Sequence, residues 1–293
     1  MRKAYIVLAH TLPVQLCRLI QRLDDGSSIF YVHIDKASPM AAFGCLSGFG
    51  EKVVLVPREN SQWARLGIVQ ATLNALRSIE GDARGFDRAI LLSGQDYPIK
   101  SNREIDGFLH ASPYRVFMNH WRIPNVDVWR HRGGLARVDK YFFGIGRHQV
   151  VAASAANLLA RIVPPLRRTM PDGLTPYGGW MWWIFDRAAV RRVLRYVDEH
   201  PGYVAYHRHT FAPDEVFFQT LLLNSRDEEL IASICNDDMR FVLREGEASH
   251  PRVLGKGDLE ALMSSQDLFA RKFDARVDAR VLDAIDAALE RRP

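Results

Sequence analysis

Ala4-Tyr5-Ile6-Val7-Leu8-Ala9-His10 decides how the rest of the chain is read. From Tyr5 to Ala9 it is a continuous apolar run of strand length, the pattern of a strand buried on both faces, and it stops at a polar residue. Pro13 suits the first turn of a following helix, along which Leu16, Leu19, Ile20 and Leu23 recur at helical spacing. Asp24-Asp25-Gly26 turns the chain, and Ile29-Phe30-Tyr31-Val32-His33-Ile34 reads as a second strand, rich in β-branched and aromatic residues. Val53 to Val56, ended by Pro57, reads as a third. Leu66, Val69, Leu73, Leu76 and Ile79 mark a long amphipathic helix, and Ala89 to Leu92 the next buried strand. This alternation predicts an α/β fold with a parallel sheet wound in the Rossmann manner. Ligands of such sheets bind beyond the carboxyl ends of the strands, so His10, Asp35 and Ser93 to Asp96 stand at candidate positions.

The remainder supports a single globular domain over 1–293. Trp180 to Phe185 reads as a strand, Arg187 to Val197 and Glu215 to Leu223 as helices, Asp258 opens a helix through Met263, and Val277 to Leu289 is a terminal amphipathic helix. The chain has 293 residues, 47% hydrophobic, 10% aromatic and 25% charged, which excludes a disordered, collagen-like or repeat-dominated protein. A net charge of +5 suits an anionic ligand or anionic headgroups and is too small to argue for nucleic acid. Cys17, Cys45 and Cys235 lie far apart, are odd in number and form no C-x-x-C pair. Neither a disulfide scaffold nor a zinc finger is expected from them, and a reducing compartment is preferred. The first apolar run is shorter than a signal-peptide core, and the run from Val150 to Val163 is broken by Asn157 and Arg161 and too short to span a bilayer. Arg161, Arg167 and Arg168 flank Ile162-Val163-Pro164-Pro165-Leu166, a mixture that suits a peripheral membrane contact or a solvated basic loop.

Several groups of residues carry chemistry. Between 119 and 175 the chain interleaves Trp121, Arg122, Trp129, Arg130, His131 and Arg132, which serves nucleic acid or a sugar ring equally. Asp35 in His33-Ile34-Asp35-Lys36 can accept from a ribose or base, or simply end a strand in a turn. Ser93-Gly94-Gln95-Asp96-Tyr97-Pro98 clusters polar groups at a strand end, as functional loops and ordinary turns both do. Pro213-Asp214-Glu215 places Glu215 as a candidate general base with Phe211, Phe217 and Phe218 around it, and Asp214 as the helix cap. His207, His209 and Asp214 also permit a metal, although Arg208 opposes a cation there, and solvated or substrate-facing histidines are expected instead. No Asp-x-Asp occurs in the chain. His250-Pro251-Arg252 and Phe269-Ala270-Arg271-Lys272-Phe273-Asp274 set cations among apolar residues, where they can neutralise a phosphate or offset a helix dipole.

Taken in order, these motifs resemble the core-2/I-branching glycosyltransferase family (glycosyltransferase family 14), which includes β-1,6-N-acetylglucosaminyltransferases and peptide O-xylosyltransferases. The resemblance implies a GT-A type α/β fold with a Rossmann-like, mostly parallel central sheet. It also implies a UDP-sugar donor, a hydroxyl of a glycan or related acceptor, and inversion without a metal or other cofactor. It carries the catalytic base to Glu215, a diphosphate-binding lysine to Lys272 and a second cation to Arg252. His10, Asp35 and Asp96 join the donor-binding set. N-acetylglucosamine is the expected sugar and xylose the alternative; a non-catalytic carbohydrate-binding protein would need neither Glu215 nor Lys272. The animal relatives carry a signal anchor and many luminal cysteines. Their lack here leads to the expectation of a bacterial-type enzyme in the cytoplasm, at the inner face of the membrane.

Overall fold

The computed structural model describes residues 1–245 and 251–291. Its centre is a seven-stranded sheet built from β1 (Lys3–Ala9), β2 (Ile29–Ile34), β3 (Val53–Leu55), β4 (Arg88–Ser93), β6 (Val116–Met118), β9 (Trp183–Asp186) and β10 (Ile234–Cys235), in the order β10-β6-β9-β4-β1-β2-β3. β1 pairs in parallel with β2 and β4, β2 with β3, and β10 with β6; β9 alone runs antiparallel to its neighbours β4 and β6. The expected mostly parallel α/β sheet is therefore present.

The continuous apolar runs have the burial they predicted. In β1, Tyr5 and Val7 face one cluster with Leu16, Leu19 and Ile20 of α1 (Pro13–Leu23). Ala4 and Ile6 face a second, with Val69, Leu73 and Leu76 of α2 (Gly67–Glu80). Tyr5 and Phe30 are register partners and stack at 5.3 Å, so aromatic packing reinforces the ladder. Full burial of each large apolar side chain is worth about 1.5–3 kcal/mol, and both faces of the strand collect it.

Two smaller sheets flank the large one. β5 (Asp96–Pro98), β11 (Arg240–Val242) and β12 (Phe269–Arg271) form a sheet in which β12 lies between the other two. β7 (Trp121–Arg122) and β8 (Tyr177–Gly178) make an antiparallel pair. The segment between them holds α4 (Ala136–Asp139) and α5 (Arg147–Ile162), which follow α3 (Asn102–Ala111) in the chain.

Some expectations are corrected. Cys17 on α1 and Cys45 in the 3-10 stretch Met40–Lys52 are disulfide-bonded, with Cα atoms 6.6 Å apart. Twenty-eight residues of sequence separation hid the pairing, and the case for a reducing compartment loses its premise of unpaired cysteines. The strand expected from Trp180 starts at Trp183. The terminal helix is split, with one turn at Ala275–Asp278 capped by Asp274 and then Arg280–Glu290.

Candidate active site

The polar ends of β1, β2 and β4 are locked together through backbone groups. Asp35 N–H donates to Ala9 O at 2.8 Å, and Ser38 Oγ donates to His10 O at 2.7 Å. The Asp35 carboxylate is 8% exposed and accepts from Ala37 N–H at 2.7 Å and Ser61 N–H at 2.6 Å. It ties the turn after β2 to the loop after β3. Arg58 supports the same turn, donating to Ile34 O, Asp35 O, Lys36 O and Ser38 O. Arg58 bore no motif and was missed by sequence reading.

Beyond β4, two glutamines bring the last third of the chain into this rim. Gln15 Nε2, on α1, donates to Gly94 O at 3.0 Å and Phe273 O at 3.2 Å, while its Oε1 accepts from Ala275 N–H at 2.8 Å. Gln95 Nε2 donates to Phe273 O at 3.2 Å, and Phe273 N–H returns to Gln95 O at 2.9 Å. This clasp sets Lys272 beside the carboxyl ends of β1 and β4. The Lys272 ammonium has no hydrogen bond or ion pair among the described residues, and partial burial followed by the charge of Arg271 lowers its pKa. Burial is also the main cause lowering the His10 pKa; Asp35 opposes it, and Lys272 and Arg276 add to it. The four groups thus share one electrostatic field.

The other two expected donor contacts are spent on protein partners. Asp96 is fully buried, accepts from Ser93 N–H through Oδ2, and pairs through Oδ1 with Arg271 at 3.3 Å. Arg271 is its register partner on β12 and lies over the Trp182 ring at 4.2 Å. The buried guanidinium of Arg240 donates to Leu91 O and Asp238 O at 2.5 and 2.7 Å and completes the network, which holds the small sheet against β4. Burial pushes the Asp238 carboxyl up to about 7. Arg252 is ion-paired with Asp258 at 2.6 Å and Glu245 at 3.1 Å, which raises its pKa. Its segment does reach the site, because Leu254 N–H donates to Lys272 O at 2.8 Å. His250 of the same motif lies outside the described residues.

Glu215 sits across the carboxyl edge of the sheet, on a turn rather than a helix. Ala212 is left-handed, with φ at 48°, and its N–H donates to Ala64 O at 3.0 Å. The reversal makes Pro213–Glu215 a single 3-10 turn, so α8 begins only at Phe217 (Phe217–Leu223). Gly179 N–H donates to Glu215 O at 2.9 Å, and a Cβ on Gly179 would lie 1.9 Å from Asn119 O, so glycine is required there. Glu215 Oε2 accepts from Arg137 Nη2 of α4, a contact no local pattern could announce. Arg137 lies 3.8 Å over the Trp129 ring and 5.2 Å from Phe211. Trp121 packs edge-on against Trp129 and Trp180, and Arg244 lies 4.3 Å over Trp180. Of the interleaved set, Trp121 and Trp129 thus form the wall beside Glu215 with Trp180, Arg137 and Arg244, while Arg122, Arg130, His131 and Arg132 are exposed.

Asp214 is not a helix cap. It is buried, its Oδ1 has no hydrogen-bond partner, and burial followed by the charge of Glu215 pushes its pKa up to about 7. His207 is likewise not solvated: it is fully buried among Tyr203, Tyr206 and Phe217, its ring nitrogens have no hydrogen bond, and burial lowers its pKa to about 3. His209 packs separately, against Phe143 at 5.0 Å. Among the described residues, no group of three or more His, Cys, Asp or Glu side chains is placed to hold a metal ion.

Comparisons with known proteins bear on this arrangement. The family described as Branch, Core-2/I-Branching enzyme, matches residues 3–263. A bovine β-1,3-galactosyl-O-glycosyl-glycoprotein β-1,6-N-acetylglucosaminyltransferase (Bos taurus) is 25% identical across 99% of this chain and 70% of its own length. Human xylosyltransferase 2 (Homo sapiens) is 24% identical across 97% of this chain, which spans only 33% of that protein. The crystal structure of mouse xyloside xylosyltransferase 1 in apo form aligns over 92% of this chain and 96% of that one at 11% identity and a TM-score of 0.38, too distant to bear on the site. With a family match over most of its length and a mostly parallel α/β sheet, the chain belongs to the core-2/I-branching enzyme family and is a glycosyltransferase.

Proposed function

We propose that this glycosyltransferase moves N-acetylglucosamine from UDP to a hydroxyl of a glycan acceptor, with inversion and without a divalent metal. The observation that carries the reading is Lys272, a cation with no protein partner among the described residues, clasped at the carboxyl ends of β1 and β4. Glu215 takes the proton of the acceptor hydroxyl as that oxygen attacks the anomeric carbon, and the bond from this carbon to the UDP oxygen breaks. The negative charge that grows on the departing diphosphate is stabilised by Lys272, already in place and partly shielded from water. Glu215 must trade Arg137 for the acceptor, and Arg252 must trade Asp258 and Glu245 before it can assist. His10 and Asp35 border the nucleotide.

Turnover of UDP-N-acetylglucosamine, UDP-xylose, UDP-galactose and UDP-glucose, each with and without excess EDTA, tests the proposal. Hydrolysis of the first, unchanged by EDTA, is the expected result. A preference for UDP-xylose would transfer the donor assignment to the pentose. Loss of all activity in EDTA, restored by manganese, would overturn the metal-free mechanism.

A further inference from the structure

Helix α5 is inside out. A surface helix of a soluble protein normally turns its apolar stripe inward and its polar face to water. On α5 only Ala153 is buried, while Val151, Leu158 and Ile162 are 63%, 59% and 73% exposed. These three recur at intervals of seven and four residues and so share one face, which points away from Ala153. The inward side is held by polar contacts: Asn157 Oδ1 accepts from Tyr141 N–H at 2.8 Å, and Asn157 Nδ2 donates to Tyr141 O at 3.0 Å. The apolar face continues past the helix end through Leu166, 39% exposed, whose carbonyl accepts from Tyr141 Oη at 2.9 Å.

The charge around this face has a single sign. From Lys140 to Pro171 the chain has no Asp or Glu. Arg147, Arg161 and Arg167 are exposed and make no ion pair among the described residues. Arg168 differs from its neighbours and from the basic loop residue expected of it. Its guanidinium turns inward, donating to Tyr206 O and Thr210 Oγ1 at 2.9 Å each, and fastens the segment to the body of the protein. The surface is thus firmly mounted, apolar along its crest and cationic at its rim.

We infer that α5 and the turn after it seat this enzyme on an anionic lipid bilayer, with Val151, Leu158 and Ile162 entering the interface and Arg147, Arg161 and Arg167 meeting headgroup phosphates. An apolar crest with a cationic rim is the composition of an interfacial helix. A helix of 16 residues offers a contact about 24 Å long, lying flat. A second copy of the chain fits less well, because a two-fold contact through the same face sets arginine rims of like sign together. No helix among the described residues is long and apolar enough to cross a membrane, so the contact is peripheral.

The test is co-sedimentation of the full chain with vesicles of phosphatidylcholine alone or with phosphatidylglycerol added. Binding to the anionic vesicles only is expected, weakened roughly fivefold by each of Arg147→Gln, Arg161→Gln and Arg167→Gln. Leu158→Glu with Ile162→Glu should abolish it. Melting temperature and hydrolysis of a soluble donor should stay as in the wild type, which separates failure of the surface from failure of the catalytic reading. Equal binding to both vesicles, or binding that survives the Leu158/Ile162 pair, overturns the inference. So does failure to bind any vesicle, joined to self-association that Leu158→Glu reverses, which assigns the stripe to a second copy.

Discussion

The rim around Lys272 and the wall beside Glu215 are built from different kinds of interaction. Around Lys272 the contacts are backbone N–H and C=O groups joined to each other and to the amides of Gln15 and Gln95. Around the Glu215 carboxylate they are a guanidinium stacked on Trp129, the edge-on indoles of Trp121 and Trp180, and a single ion pair. Backbone contacts are indifferent to most substitutions, whereas a stacked cation depends on each ring that bears it. On the proposed assignment, a donor end at Lys272 can thus be kept while an acceptor end at Glu215 changes, because the two are separately built.

The sharpest way to probe this separation is Glu215→Gln. The amide keeps the shape but cannot take a proton, so turnover should fall by about 10²–10⁴-fold while UDP affinity, measured by calorimetry, stays nearly unchanged. Turnover above roughly a tenth of wild type, or an equal loss of UDP binding, would show that Glu215 is not the base or that the two ends are one unit. Lys272→Ala addresses the other side. Losing a charge-assisted contact to phosphate should weaken UDP binding by about 10- to 100-fold, with a fall in turnover. Arg252→Ala should cost markedly less in the same titration, since Asp258 and Glu245 already hold its charge. Equal losses in the two variants would mean that the donor draws Arg252 from its carboxylates.

Asp214→Asn gives the smallest effect and reads stability against pH. The folded pKa of Asp214 is raised from 3.8 to about 7, so between those values the native state holds a proton that the unfolded chain has released. Wild-type stability therefore falls as pH rises through this window, by at most about 1.4 kcal/mol per unit from this group. The asparagine variant escapes that loss, and its advantage in melting temperature should widen from pH 5 to pH 7. A constant difference would place Asp214 in contact with water or a partner that stabilises its charge.

What was legible in the sequence follows the same division. β2 was read with its observed limits because every residue from Ile29 to Ile34 is buried, and a two-sided strand leaves an unbroken apolar run. Glu215 and Lys272 stood out as candidates because the motifs through which the family resemblance reaches them, Pro213-Asp214-Glu215 and Lys272-Phe273-Asp274, are local. Arg137 reaches Glu215 across 78 residues, and Gln15 reaches Ala275 across 260; contacts of that range impose no period on the chain. Asp214 was misread for a related reason. A helix cap and a buried acid share a place before the same apolar run, and only the left-handed turn at Ala212 distinguishes them.

The clasp through Gln15 and Gln95 also sets an order of events during synthesis. A chain halted before Phe269 has already produced His10, Asp35 and the turn after β4, but its small sheet lacks β12, the strand that lies between β5 and β11. Asp96 would then lack the cation of Arg271, and both glutamines would lack the carbonyl of Phe273. On the reading proposed above, competence to hold a nucleotide diphosphate thus waits on β12 and the turn at Phe273. A chain ended before Phe269 should therefore carry Glu215, Trp121, Trp129 and Trp180 in full and yet fail to bind UDP, which calorimetry on the shortened chain checks.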